Sequence, residues 1–154
     1  MAVKPIPDGY HSLTPYLIVG DGPRAIEFYQ EAFGAEELVR MAEPSGKVGH
    51  AELRIGDSIV MLADEHPEVD ARSPESIGGS PVSLVLYVED ADAVYERAVK
   101  AGATPERPVE DQFYGDRAGV VRDPFGHAWH VHTHTEDVSP EEMTRRAGAA
   151  AETG

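Results

Sequence analysis

The sequence predicts an α+β fold: two βαβββ modules followed by a C-terminal helix. Three observations carry this. The order strand, helix, strand, strand, strand occurs twice. A polar stretch rich in Pro, Gly and Ser, residues 64–81, separates the two occurrences. A displacement of 69 residues places Val19 on Val88, Asp21 on Asp90, Thr14 on Ser83 and Met61 on His130; after one deletion, Gly34-Ala35 falls on Gly102-Ala103.

In the first module, residues 10–63, "LTPYLIV" at 13–19 reads as a strand and "GDGP" as a turn. "RAIEFYQEAFG" places Ile26, Phe28, Tyr29 and Phe33 at helical spacing, with Gly34 as the stop. "EELVRMA" is a short strand and "PSG" a turn. "VGHAELRIGDSIVMLAD" is two strands joined at Gly56-Asp57, a hairpin dipeptide. In the second module, residues 82–136, "VSLVLYVED" is a strand and "ADAVYERAVKAG" a helix ending at Gly102. "ATPERPV" is extended, and "YGDRAGVVRD" and "AWHVHTH" are strands around the turn "DPFG". Residues 137–154 form a helix and tail. Ser139 caps, Pro140 takes the first helical position and Glu142 completes a capping box, whereas "AGAAAETG" frays. This helix packs on the domain or on a second subunit.

The 154 residues suit one domain, residues 10–136, with its C-terminal appendage. No apolar run reaches the roughly 20 residues that span a bilayer. "MAVKPIPDGYHS" has no apolar core of a signal peptide, so a cytoplasmic location is expected. Cysteine is absent, which removes disulfides, thiolate metal sites and thiol nucleophiles. The 28 acidic against 13 basic residues give a formal charge of −15, which repels nucleic acid and anionic membranes. That charge is first of all a solubilising surface, and it favours a cationic ligand. No G-x-S-x-G elbow, P-loop, G-x-G-x-x-G or H-E-x-x-H occurs, so hydrolase and nucleotide chemistry have no support.

The stretches "PYLIVGDGPRAIEFYQEAFGAE", "HAELRIGDSIVML" and "FYGDRAGVVRDPFGHAWHVHTHTEDVSPEEM" resemble the vicinal oxygen chelate superfamily, in particular its glyoxalase/bleomycin-resistance proteins. The resemblance covers residues 10 to about 146. It implies that each module forms a curved mixed sheet, that two modules make a cup, and that two chains assemble as a homodimer. Metal-using relatives carry four ligands, on the first and last strands of each module. Carried over, these positions hold Thr14, Ser83, Met61 and His130. Two hydroxyls, a thioether and one imidazole are a poor set for a divalent ion, so no metal and no other cofactor is expected. A three-residue slip of the first strand would offer His11 instead.

Four of the seven histidines lie in "DPFGHAWHVHTH". On a strand, His130, His132 and His134 share one face, opposite Trp129, Val131 and Thr133. His50 and Glu52 likewise alternate with Leu53 and Ile55. If the polar faces form the cup, His50, Glu52, His130 and His132 point into it and offer an unusual His/Glu set. The same histidines also serve as plain hydrogen-bonding groups. His134 at the strand end reads as exposed, and His127 as a stabiliser of the turn. Tyr16 and Tyr87 share the cup face with Thr14 and Ser83, and with Met61 they give an apolar lining bearing a few hydroxyls; they equally suit packing against a partner chain. Tyr114, beside Phe113, forms a lip. Arg117 pairs with Asp116, with Glu52 or with an acidic group of the ligand. Asp123 initiates its turn.

The leading expectation is a metal-free small-molecule binder that sequesters a drug-like or cationic ligand, as the resemblance to bleomycin-resistance proteins implies. The alternative is a metal-dependent lyase, isomerase or dioxygenase using His130 with His50, Glu52 or His132. A third reading is an interaction protein whose cup takes a partner's side chains.

Overall fold

A computed structural model describes residues 2–153. The first module runs β1 (Tyr16–Val19), α1 (Gly22–Phe33), β2 (Glu36–Ala42), β3 (Val48–Ile55) and β4 (Ser58–Asp64). The second runs β5 (Ser83–Tyr87), α3 (Ala91–Ala101), β6 (Thr104–Asp111), β7 (Asp116–Arg122) and β8 (Ala128–His134). Between them lie a 3-10 turn (Pro67–Val69) and the one-turn helix α2 (Pro74–Ile77), and α4 (Pro140–Thr153) closes the chain. The sheets have the same plan, β1-β4-β3-β2 and β5-β8-β7-β6. In each, the first strand pairs parallel to the last and the other contacts are antiparallel. The predicted α+β architecture of two βαβββ modules with a C-terminal helix is the observed one.

Local chemistry explains the elements. Asp21 and Asp90 cap α1 and α3, accepting hydrogen bonds from the Arg24 and Ala93 amides at 3.1 Å each. Gly34 ends α1 in the left-handed conformation, with its amide bonded to the Gln30 carbonyl at 3.1 Å. Gly56-Asp57 forms a two-residue turn between Ile55 and Ser58, with Gly56 at φ +59°.

Several expectations shift. β1 begins at Tyr16 rather than residue 13, leaving Leu13 exposed, although the Pro15 carbonyl already accepts the Met61 amide at 2.9 Å. Asp64 belongs to β4 rather than to the linker, which itself contains two short helical turns. "TPERPVED" is an edge strand, where prolines without an N–H are tolerated, and not merely an extended segment. In α4, Ser139 Oγ accepts the Glu142 amide at 3.2 Å, but the Glu142 carboxylate turns to Arg145 and Arg146, so only half of the capping box forms. α4 runs Pro140–Thr153, through most of the stretch read as a fraying tail; Gly154 lies outside the described residues.

One core serves both modules. α1 and α3 pack against each other, and Arg97 Nε donates to the Ala32 carbonyl at 3.2 Å. Phe28, Tyr29 and Phe33 of α1 meet Phe125 and Trp129 of the second module, with Phe33 and Trp129 ring centroids 4.7 Å apart. Each fully buried large apolar side chain in such a core contributes about 1.5–3 kcal/mol. Asp123 ties the joint together. Its buried carboxylate accepts the Tyr29 hydroxyl, Trp129 Nε1 (2.9 Å) and the Phe125 and His127 amides (2.9 Å each). The Asp-Pro turn was legible; its role as the bridge to α1 was not. His127 adds a second link through Nε2 to the Ile18 carbonyl at 2.9 Å, reaching across modules rather than merely bracing its own turn. Because the helices cover one face of each sheet, the opposite faces are left open.

Candidate functional site

Strand alternation sorts the candidates. In β3, Ala51, Leu53 and Ile55 are buried, so His50 and Glu52 lie on the open face. In β8, Trp129 and Val131 enter the core, so His130 and His132 lie on the open face of the second sheet. β1 contributes Tyr16 beside Met61 of β4, and β5 contributes Val85 and Tyr87 beside His130 and His132. The 69-residue displacement therefore holds in space, since Tyr16 and Met61 occupy the places of Val85 and His130.

The first module's open face carries a relay of polar groups. The Tyr16 hydroxyl bonds His50 Nδ1 at 2.9 Å, and His50 Nε2 bonds Glu52 Oε2 at 2.8 Å. A carboxylate only accepts, so His50 donates through Nε2 and its Nδ1 accepts from Tyr16. The Tyr10 hydroxyl donates to the other Glu52 oxygen. Tyr10 brings the N-terminal segment over this face, and Pro5, Ile6, Tyr10, Thr14, Glu52 and Met61 line a cleft of about 440 Å³.

The second module's open face is organised by Asp116. This carboxylate is 4% exposed and accepts from the Tyr87 hydroxyl (2.9 Å), His132 Nδ1 (2.8 Å) and His134 Nδ1 (2.7 Å). Burial works against its charge, but the hydrogen bonds from His132, His134 and Tyr87 outweigh it and lower its pKa. Tyr87 is raised, chiefly because its hydroxyl donates to Asp116. His134 is raised by Asp137 and Asp116, whereas burial lowers His130. With Nδ1 donating to Asp116, His132 turns Nε2 toward a cleft of about 330 Å³ that it shares with Arg107, Tyr114 and His130. The Tyr114 ring lies over His132 at 6.2 Å and 27°, with Phe113 edge-on beside it.

Within one chain these residues form two clefts that share no lining residue, so His50 and Glu52 do not meet His130 and His132 in a single cavity. A smaller apolar cavity of about 140 Å³ between the modules touches Thr14, Val85 and Trp129. Ser83 is exposed at the start of β5. Arg117 leaves the site altogether. It points to the helix side and forks onto Asp92 of α3 at 2.6 and 3.0 Å, with a third bond to Asp111, because Ala118, not Arg117, shares the face of His132. His134 is half exposed but held by Asp116 and Asp137. Among the described residues no three His, Asp or Glu side chains are placed to hold one metal ion, and Thr14, Ser83, Met61 and His130 do not make a divalent-ion donor set. Sequence reasoning missed Tyr10, Asp116 as the hub, and Arg107.

The fold and this pair of histidine-bearing faces define a βαβββ-repeat protein. The signature described as "Glyoxalase/Bleomycin resistance protein/Dioxygenase superfamily" matches residues 10–131, and the chain belongs to that superfamily. It is 46% identical over 135 residues to an uncharacterized Mycobacterium tuberculosis protein, Rv0887c, covering 86% of this chain and 79% of that one. Among solved structures, TioX from Micromonospora sp. ML1 superposes with a TM-score of 0.64 at 29% identity, over 80% of this chain and 98% of TioX. The fosfomycin resistance protein FosX from Listeria monocytogenes, at 17% identity and a TM-score of 0.61 over 86% of this chain and 97% of its own, shares the fold. Among the described residues no helix is long and apolar enough to cross a membrane.

Proposed function

We propose that this protein binds a small molecule between its open faces, without a metal, and holds it without changing a bond. The observation that carries this reading is the uncovered lining. Tyr16 is 50% exposed, Met41 57%, Val85 54% and Tyr87 61%, all on sheet faces that also carry hydrogen-bonded histidines. Aromatic and thioether surface with a few fixed polar groups suits a drug-sized aromatic molecule. The first cleft supplies the Glu52 carboxylate, held between Tyr10 and His50, and the chain's charge of −15 adds a field that draws in a cationic group. Each half-site is shallow on its own. The reading completes the cup in a homodimer, with the first module of one chain against the second module of its partner; Leu13 and Val82, exposed in the single chain, supply apolar surface for that contact.

The experiment is elemental analysis of protein purified without added metal, run beside sedimentation and a thermal-shift screen of aromatic cations. The reading expects a dimer, no stoichiometric transition metal and stabilisation by a subset of the compounds. One ion per chain that disappears in His130→Ala overturns it in favour of a metal-dependent enzyme.

A further inference from the structure

The second cleft holds an arginine with no hydrogen-bond or ion-pair partner among the described residues. Arg97, Arg117 and Arg122, the other arginines of this module, are each anchored: to the Ala32 carbonyl, to Asp92 and Asp111, and to Glu106 and the Gly126 carbonyl. Arg107 lines the cleft and makes no hydrogen bond or ion pair to a described residue. In a chain with 28 acidic against 13 basic residues, an unpaired guanidinium at a cavity wall stands out.

Its direction is built in. Arg107 sits opposite Val120 in β6, with register irregularities on both sides, between Pro105 and Arg107 and between Arg107 and Glu110. Such irregularities re-aim side chains at a sheet edge. Val120 lines the same cleft, so Arg107 stands on the open face. Around it, the His130 ring and the Tyr114 hydroxyl also make no hydrogen bond to a described residue, while burial lowers the His130 pKa. The Tyr114 and His132 rings, near-parallel, offer a stacking wall. Glu110 lies at the rim and is the one carboxylate in the lining, but it is not within ion-pair distance of Arg107.

We propose that this cleft binds the carboxylate of a small aromatic acid, with the Arg107 fork as its main partner and His130 and Tyr114 as further donors. This rests on the reading of the open faces as ligand-binding and deepens it. The two half-sites then read opposite charges, a cation at Glu52 and an anion at Arg107, so the completed cup selects an amphoteric aromatic ligand.

The test titrates the whole protein with benzoate, its neutral isostere benzamide and the cation benzylamine, following the histidine ring resonances and the heat of binding. Benzoate is expected to bind with a Kd of about millimolar order, as fits a small fragment. It should move the His130 and His132 signals and lose about tenfold or more in Arg107→Gln, the worth of a charge-assisted hydrogen bond. Arg107→Lys should recover part of that loss, and Glu110→Gln should strengthen binding about twofold, as expected for an exposed repulsive charge. Arg107 is exposed and unpaired, so the folded state of each variant is unaffected and is checked by circular dichroism. Equal binding of benzoate and benzamide, or no change in Arg107→Gln, overturns the anion site and leaves the small-molecule reading standing. Failure of all three probes to perturb either cleft overturns both.

Discussion

The two modules share a backbone and differ in what they place on it. Both begin their helices with an Asp cap at matching positions, Asp21 and Asp90. Both fasten the helix start to the last strand, but with different residues. In the first module Asp64 accepts the Gly22 and Val48 amides at 2.8 and 2.7 Å; in the second, Thr133 Oγ1 accepts the Ala91 amide at 2.8 Å and donates to the Val88 carbonyl. The larger carboxylate leaves no room beside it. A Cβ on Gly22 would sit 2.5 Å from Asp64 Oδ2 and 2.8 Å from Val48, whereas the equivalent position in the second module is Ala91, whose amide bonds the smaller Thr133. The burial differs as well. α1 supplies Ala25, Ile26, Phe28, Tyr29, Ala32 and Phe33 to the core, but α3 is buried only at Ala91 and Ala98. The first module is the anchor and the second leans on it. What the repeat preserves is hydrogen-bond geometry at the strand and helix ends; what it releases is the open faces, where the chemistry diverges.

The largest effect is expected where the second module hangs on the first. Asp123→Ala strands three buried donors and the part-buried His127 amide, and burial alone still keeps the Tyr29 hydroxyl a donor, now with no acceptor. At roughly 1 kcal/mol or more per stranded donor, about 3–5 kcal/mol of stability is lost in denaturant unfolding. A loss below about 1 kcal/mol would mean that aromatic packing alone joins the modules. Next come the paired fasteners. Asp64→Ala should lose about 2–3 kcal/mol and Thr133→Val about 1–2 kcal/mol, since the first strands two buried amides and the second one. Equal losses would break the claim that the first module is the more tightly tied.

Much of this was legible in the sequence, and the reasons are local. Caps, the Gly56-Asp57 hairpin and the helix stop at Gly34 depend on neighbouring residues, and the repeat order depends on periodicity. The open-face positions of His50, Glu52, His130 and His132 follow from alternation within single strands. Arg117 makes the salt bridge expected of it, but to Asp92 and Asp111 rather than to Asp116 or Glu52, because its face depends on the register of β7 against β8, which places Ala118 beside His132. Tyr10 was missed because its partner Glu52 is 42 residues away. Arg107 was hidden by two prolines that make β6 read as a non-strand.

A smaller effect separates the two open faces by pH. Asp116 has a lowered pKa in the folded state, so the stability it contributes is present above the ordinary carboxylate range and is lost as pH falls through its folded value. His134 is raised, so its contribution is complete below its ordinary value of 6.5 and is lost as pH rises through its folded value. His130 is lowered, so its contribution disappears as pH falls from 6.5 toward its folded value. In Asp116→Asn, the His134 titration followed by NMR should move down toward the ordinary value, with Asp137 sustaining what remains of the shift, while backbone amide signals of β3 in the other module should not respond. A change in the β3 amide signals would show that the two faces are coupled.

The smallest effect tests the one feature of the first face that the second lacks, a segment of chain laid across it. Tyr10→Phe removes a single half-buried hydrogen bond to Glu52 and opens no cavity, so stability should fall by only about 0.5–1 kcal/mol. The local consequence is larger than the global one. Residues 5–12 touch the module through Pro5, Ile6 and Pro7 as well, but Tyr10 provides their hydrogen bond to the cleft's polar floor. The Tyr10 amide, which donates to the Pro7 carbonyl at 3.1 Å, should therefore exchange with solvent faster in the variant while amides of β3 are unchanged. Unaltered exchange at residue 10 would mean that apolar contact, not the Tyr10–Glu52 bond, holds the segment down, and the first cleft would then be closed by packing instead of by a hydrogen bond that a cationic ligand can displace.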